Sequence, residues 1–229
     1  MDFKEGEILL INKPVTWTSF DVVNNVRYFL KKALGQNKVK IGHTGTLDPL
    51  ATGLLILCSG KFTKKIETFK VFDKEYTGTF VLGATTPSFD LEMAIDHRYP
   101  IDMLTEQVIL ETASRFTGSF MQTPPRFSAV KIKGRRAYDY ARQDEEVKIE
   151  PKLIHIQAFE ITDIALPNVH FRIACSKGTY IRALARDFGQ ALNNGAYLDT
   201  LCRTRIGPYR LQDAWELDAL KAKLLDDLG

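Results

Sequence analysis

Cysteine is scarce in this chain and widely scattered. Cys58, Cys175 and Cys202 are the only three in 229 residues, and none belongs to a C-x-x-C pair. That usage argues against a disulfide framework or a thiolate zinc site and makes a reducing cytoplasm the expected home. Long apolar runs are also missing. The longest, such as residues 54–58, fall far short of the roughly 20 residues that span a bilayer, so no membrane partner is expected. Asp2, Lys4, Glu5 and Glu7 interrupt any secretory leader. The chain shows no phosphate-cradling P-loop and no clustered metal ligands. It has neither internal repeats nor low-complexity tracts. A strong excess of one charge is absent as well, with a net +3 and a pI near 8.6.

What is present is an ordinary globular composition, 45% hydrophobic and 26% charged, long enough to bury a substantial core. The distribution of charge says more than its sum. Lysines and arginines gather at Lys31, Lys32, Lys38 and Lys40, at Lys61, Lys64 and Lys65, and at Lys131, Lys133, Arg135 and Arg136. Arg203, Arg205 and Arg210 form a further set, whereas acids collect toward the C-terminus. Four basic clusters point to a polyanion, with solvated surface as the bland alternative.

Periodicity predicts a short strand over 6–12 and a helix over 20–34, with Ser19 as N-cap and Gly35 as its stop. A buried strand follows over 54–58 and a helix over 61–69. Strict alternation over 74–82 sets Tyr76, Gly78, Phe80 and Leu82 on one face. A helix over 104–116, strands over 153–164 and 169–175, and helices over 179–192 and 217–225 complete the pattern. Strands and helices mix without regular βαβ alternation, which favours α+β with a largely antiparallel sheet. Residues 122–150, rich in Arg, Lys, Pro, Gly and acids, form the least core-like stretch.

The most informative segment runs from Gly42 to Gly53, Gly-His-Thr-Gly-Thr-Leu-Asp-Pro-Leu-Ala-Thr-Gly. Glycines allow a ligand to approach the backbone, while Pro49 fixes its own φ and pushes Asp48 toward an extended conformation. Such a turn presents one carboxylate and one imidazole, His43, to whatever comes near. Tyr76 reads as an ordinary core tyrosine from its strand alone. Arg182, after Gly178-Thr179-Tyr180-Ile181, falls in a first helical turn, where a cation meets the positive end of the helix dipole. A carboxylate partner would offset this; so would free reach into solvent.

The segment of twelve residues resembles the catalytic motif of TruB-type tRNA pseudouridine synthases, G-H-T-G-x-L-D-P-x-A-T-G. Four further segments extend the resemblance. Asn12-Lys13-Pro14 with Thr18-Ser19 is similar to the family's start, and Gly178 to Arg182 to its G-T-Y-I-R. Gln122-Thr123-Pro124-Pro125, continuing through Ser128-Ala129, Lys131, Gly134, Tyr138 and Ala141-Arg142, matches its proline-bearing run. Leu201-Cys202-Arg203-Thr204 with Gly207 matches L-x-R-T-x-x-G. One departure stands at Thr85-Thr86-Pro87-Ser88-Phe89-Asp90, where Pro87 replaces the first acid of the family's usual run.

The resemblance implies the pseudouridine synthase fold, helices against a mixed sheet with an active cleft across its middle. It implies one catalytic domain over 1–229 with an RNA-gripping thumb-like insertion at 122–150; many bacterial members continue into a C-terminal PUA-type domain, and the expectation that this chain has none is a second departure from the family's pattern. The implied activity is isomerisation of uridine to pseudouridine in the T-loop of tRNA, at position 55. Asp48 would be the catalytic aspartate, Arg182 its ion-pair partner and Tyr76 the residue that stacks on the base and takes its proton. His43, Tyr180, Leu201 and Lys131 would bind the substrate. No cofactor, no metal and no obligatory protein partner would be needed beside the T-arm of tRNA. A nucleic-acid glycosylase would share the flipped nucleotide and the acid. A non-catalytic RNA-binding protein or chaperone would need the basic clusters but not Asp48, Arg182 and Tyr76 together.

Overall fold

A computed structural model of the chain describes residues 2–3, 5–35, 38–128, 130–132, 134–141, 143, 145 and 147–228. Its backbone contacts divide it into two compact units, Met1–Tyr76 with Leu201–Gly229, and Thr77–Thr200. The chain begins with β1 (Ile8–Lys13), α1 (Ser19–Ala33), β2 (Ile41–His43) and β3 (Thr52–Ser59). A 3-10 turn (Gly60–Lys65) leads to α2 (Ile66–Lys70), and β4 (Lys74–Leu82) carries the chain from the first unit into the second. There follow β5 (Ala84–Thr85), β6 (His97–Arg98), α3 (Glu106–Ser114), β7 (Gly118–Gln122), β8 (Lys131–Ile132), β9 (Arg135–Arg136) and α4 (Ala137–Ala141). The long strands β10 (Lys152–Ala165) and β11 (Asn168–Cys175), then α5 (Ile181–Ala191), lead to β12 (Ala196–Ile206), which returns the chain to the first unit. Last come β13 (Tyr209–Arg210), a 3-10 turn (Leu211–Asp213) and α6 (Leu217–Leu228).

In the first unit, β3 explains the core. Five consecutive residues, Leu54 to Cys58, have no exposed surface. Because successive side chains of a strand point to opposite faces, this apolar run serves two cores. Leu55 and Leu57 join Val22, Val26 and Leu30 of α1 and Leu220 and Leu224 of α6. Leu54, Ile56 and Cys58 join Phe69 and Ile206. β1 pairs antiparallel with β3, Ile11 opposite Leu55, and β12 pairs with it in parallel through Cys202–Thr52 and Arg203–Gly53. Helix α1 starts one residue earlier than its periodicity predicts. Its N-cap is Thr18, whose hydroxyl accepts from the Asp21 N–H at 3.1 Å while the Asp21 carboxylate accepts from the Thr18 N–H at 2.8 Å. Ser19, expected as the cap, is buried instead, with a task described below.

The second unit sets β4, β11, β10 and β7 side by side in that order. Phe80, Phe159, Phe171 and Phe188 fill its core, the Phe80 and Phe171 rings 4.2 Å apart. The class is α+β with a mixed, largely antiparallel sheet, as the sequence pattern suggests. Besides strands of two or three residues, two strands escaped that pattern: β7, and the eleven-residue β12, whose polar residues mask its alternation. No helix of the described residues is long and apolar enough to cross a membrane.

Candidate active site

In the first unit the Asp48 loop joins β2 to β3, and four groups hold it. β2 first runs antiparallel to β3, His43 opposite Leu57, and the Thr44 N–H continues the ladder to the Ile56 carbonyl at 3.0 Å. The buried Ser19 hydroxyl then takes the Leu47 N–H at 2.8 Å and donates to the Leu47 carbonyl at 3.1 Å, gripping the residue before Asp48 from both sides. After it, the Asp48 carbonyl accepts from the Ala51 N–H at 3.1 Å, closing a turn over Pro49 and Leu50. The Pro49 carbonyl accepts the Thr16 N–H at 2.8 Å and the Lys13 ammonium at 3.2 Å.

Lys13 and Arg203 are both buried here. Besides Pro49, Lys13 Nζ donates to the carbonyls of Pro14 at 2.8 Å and Trp17 at 2.6 Å. Burial pushes its pKa down to about 8, and the carboxylate of Asp48 works against that fall. Arg203 Nε donates to Leu54 O at 2.8 Å, Nη2 to Gly45 O at 3.1 Å and Nη1 to Thr46 O at 3.4 Å. The guanidinium thus ties the loop to the strand that follows it. This needs close approach of β12, and Gly53 permits it: at φ +99, any Cβ there would overlap the Arg203 backbone. His43 is pushed below the ordinary imidazole pKa, chiefly by burial and then by the Arg203 charge, so the ring is neutral at pH 7. Tyr76 is buried on β4 at the edge of this unit, and Leu201 is half-buried on β12 at the other crossing. His43, Asp48, Tyr76 and Leu201 therefore all belong to the first unit.

Arg182 and Tyr180 belong to the second. Tyr180 is the N-cap of α5, and the Thr179 hydroxyl turns back to the Ser176 carbonyl at 2.9 Å. With no capping side chain of its own, Tyr180 is held by the buried Gln122 carboxamide. Gln122 accepts its N–H at 2.9 Å and donates to its carbonyl at 3.2 Å. Arg182 is 4% exposed, and the bland reading of an arginine in solvent is wrong. Its guanidinium donates to Phe127 O at 3.0 Å and Ser88 O at 3.2 Å, and it lies 3.4 Å from the Asp90 carboxylate, also buried. Asp90 is the acid that survives in the run where Pro87 replaces the other. Thr86 and Ser88 hydroxyls donate to its carbonyl at 2.7 and 3.1 Å, fixing the turn that delivers it.

Sequence reading named Gln122 and Asp90 only as parts of motifs, and Arg203 only in a motif and a basic cluster. For Arg203 a signal was there to find: a charged residue on a strand must meet partners when it is buried. On the insertion, Arg135 pairs with Glu145 at 3.6 Å, donates to Gln143 at 2.6 Å and covers the Tyr140 ring at 4.2 Å. Ala129, Lys133 and Arg142 lie outside the described residues, as do the side chains of Lys131, on β8, and Arg136, on β9. Among the described residues, no three His, Cys, Asp or Glu side chains come together as a metal site.

Residues 31–181 match the family model for the N-terminal domain of TruB family pseudouridylate synthases. The chain belongs to this family. It is 53% identical to tRNA pseudouridine synthase B of Phocaeicola vulgatus over 96% of this chain and 93% of that protein. It is 51% identical to tRNA pseudouridine synthase B of Flavobacterium johnsoniae, over 97% and 98% respectively. A chain of a solved Cbf5-Nop10-Gar1 complex superposes with a TM-score of 0.70 at 28% identity, over 96% of this chain and 54% of that one. The present chain thus spans about half the length of that neighbour. The loop of Gly42 to Gly53 lies within the matched residues, and Lys13, Ser19 and Arg203 are what give it one shape here.

Proposed function

We propose that this protein isomerises uridine to pseudouridine in tRNA, with the T-loop uridine at position 55 as target. The Asp48 turn carries this reading: one carboxylate on a loop pinned on both sides by Ser19, Lys13 and Arg203, in a chain about half identical to curated tRNA pseudouridine synthases. Such pinning sets a reacting group in position before substrate arrives, which is where a positioned nucleophile gains most of its rate.

In the proposed mechanism the target nucleotide leaves its stack and Asp48 engages the base ring or the ribose C1′. The N1–C1′ bond breaks, the freed base turns, and its C5 bonds to C1′. The C5 proton passes to Tyr76, and N1 regains a proton, so atoms and electrons balance with no oxidant and no transferred group. Leu201 and Tyr180 would line the base, and neutral His43 would lie beside the flipped nucleotide without bringing a second charge. Arg182 is proposed to act on Asp48 as a planar cation, a role lysine fills poorly. Lys131 and the rest of 122–150 would grip the phosphate backbone of the T-arm, supplying affinity rather than sequence reading. Three free thiols fit a reducing cytoplasm, and no obligatory protein partner is required.

Tritium release from a C5-labelled uridine in a tRNA transcript tests this. Wild type should release label without free uracil, and Asp48→Asn should release none while binding tRNA within a few-fold. Free uracil would mean a glycosylase; silence from wild type would mean an RNA binder on a synthase fold.

A further inference from the structure

Gln122 stands at the end of β7, where the sheet gives way to the 122–150 insertion, and it is 1% exposed. Pairing with Lys152 of β10 fixes its backbone. A buried carboxamide has to find partners for both of its ends. Here both ends meet a single residue: Gln122 accepts the Tyr180 N–H at 2.9 Å and donates to the Tyr180 carbonyl at 3.2 Å. Tyr180 is extended, at φ −104 and ψ 109, and an extended residue points its N–H and C=O to the same side. One primary amide therefore closes on both, as the two residues of a hydrogen-bonded strand pair do. The Tyr180 peptide also dictates which end of the amide is oxygen, so the match has one orientation.

This clamp controls the start of α5. The helix body needs no such help, because Ala183, Leu184, Ala185 and Phe188 have no exposed surface and seat it by packing. Its first turn is another matter. The leading N–H groups of a helix have no partner within it, Tyr180 brings no capping side chain, and Lys177 and Gly178 just before it are exposed. The Tyr180 carbonyl receives the first helical hydrogen bond, from the Leu184 N–H at 3.0 Å, beside the Gln122 amide. Two residues on, the Arg182 guanidinium donates to Phe127 O, five residues beyond Gln122 in the same segment. One turn further, Arg186 Nη2 donates to Thr123 O at 3.1 Å. Residues 122–127 thus touch α5 at 180, 182 and 186, all within the second unit. Ser88, Asp90 and Phe127 set the head of Arg182, and Gln122 sets its root.

We infer that Gln122 is a positioning residue for the isomerisation. By holding the Tyr180 peptide it places the Tyr180 ring and the Arg182 guanidinium, and it acts on turnover rather than on RNA affinity. The inference rests on the reading of the chain as a tRNA pseudouridine synthase in which those two side chains serve the reacting nucleotide. Its test is single-turnover pseudouridine formation, with the full chain in excess over a tRNA transcript, measured beside tRNA affinity. Gln122→Met keeps the length but has neither donor nor acceptor. It should slow the rate about 100-fold, the cost of a misplacement of roughly 1 Å, with affinity within a few-fold of wild type.

Gln122→Glu separates positioning from folding. Ionised, it offers acceptors only and sets a negative charge against the Tyr180 carbonyl; neutral, it has one donor and one acceptor, the pattern of the amide. Its rate relative to wild type should therefore rise as pH falls, by up to about tenfold per unit while the carboxyl is ionised. Asp90, Arg182, Arg186 and Asp187, with Lys152 across the strand pair, are common to both proteins and cancel in that ratio. If Gln122→Met fails to fold, the Gln122→Glu ratio decides alone. A Gln122→Met rate near that of wild type, a loss that falls on affinity instead, or a Gln122→Glu ratio flat with pH would each overturn the inference. A wild type that forms no pseudouridine would overturn the synthase reading and this inference with it. An active wild type with indifferent variants would overturn this inference alone.

Discussion

Buried positive charge is handled in two different ways in the two units of this protein. In the first, Lys13 and Arg203 are surrounded by backbone carbonyls: Pro14, Trp17 and Pro49 for the lysine, Gly45, Thr46 and Leu54 for the arginine. In the second, Arg182 shares carbonyls of Ser88 and Phe127 with a buried carboxylate, Asp90. Carbonyl dipoles orient a loop segment but leave a net charge in the interior. A carboxylate cancels the charge but spends the cation's directionality on a side chain. The first arrangement therefore fixes backbone, the Asp48 loop, and the second fixes a side chain, Arg182. Both serve residues proposed to meet the same uridine.

Removing Arg203 tests the first arrangement hardest. Arg203→Met would leave three carbonyls without their donor, at roughly 1–3 kcal/mol for each buried group. We expect about 4 kcal/mol of lost stability by urea denaturation, with pseudouridine formation lost alongside. A variant as stable as wild type would show that the loop holds its shape unaided. The second arrangement is tested by Asp90→Asn, which leaves Arg182 buried beside a neutral amide. Breaking a buried ion pair costs about 3–5 kcal/mol, and the Ser88 and Phe127 carbonyls that still accept from Arg182 put our expectation near 3. Arg182→Met together with Asp90→Asn should recover part of that stability while activity stays low. No recovery would mean the pair is not the source of the cost.

Lys13 gives a smaller, pH-dependent effect whose sign follows from its lowered pKa. The folded chain releases this proton near pH 8, the unfolded chain only near 10.5. Between those values the unfolded state holds more protons, so stability rises with pH, by up to about 1.4 kcal/mol per unit. Below about pH 8 the cost of the buried charge is fully present. Wild type should thus gain on Lys13→Met as pH climbs from 8 to 10, in paired urea titrations; parallel curves would show that Lys13 is not the titrating group.

Much of this was legible in sequence, and what was not has a physical reason. The run at 54–58 announced a buried strand, and the glycine–histidine–aspartate segment announced a tight turn between strands, because apolar content and special backbone residues are local signals. The long strand β12 was not announced. Arg203, Thr204 and Arg205 break its alternation, and the partners of Arg203 lie on segments about 150 residues away in sequence. Arg182 could be placed in a first helical turn, but that Asp90 faces it within its own unit depends on a turn built by Thr86 and Ser88. Ser19 looked like a cap because it stands just before the helical run that begins at Phe20; only the approach of Leu47 reveals its use.

The finest test concerns the strain that accompanies each arrangement. Thr16 at φ 71 lies between the two carbonyls, Pro14 and Trp17, that Lys13 collects, and Phe89 at φ 63 lies between Ser88 and Asp90, which face Arg182. In both regions a non-glycine residue is held left-handed to aim its neighbours at a cation. Left-handed backbone costs an L-residue about 1–2 kcal/mol, and glycine returns about 0.5–1 of that to the unfolded chain. Thr16→Gly should therefore raise stability by roughly 0.5 kcal/mol, since Thr16 is exposed and its hydroxyl donates to the adjacent Val15 O at 2.6 Å. Phe89→Gly should instead be neutral or worse, because it also removes the ring that Arg186 covers at 5.0 Å. If both gain equally, the Phe89 ring contributes nothing to holding Asp90. If Thr16→Gly loses stability, its conformation is maintained by the Pro49 hydrogen bond too weakly for the strain argument to stand.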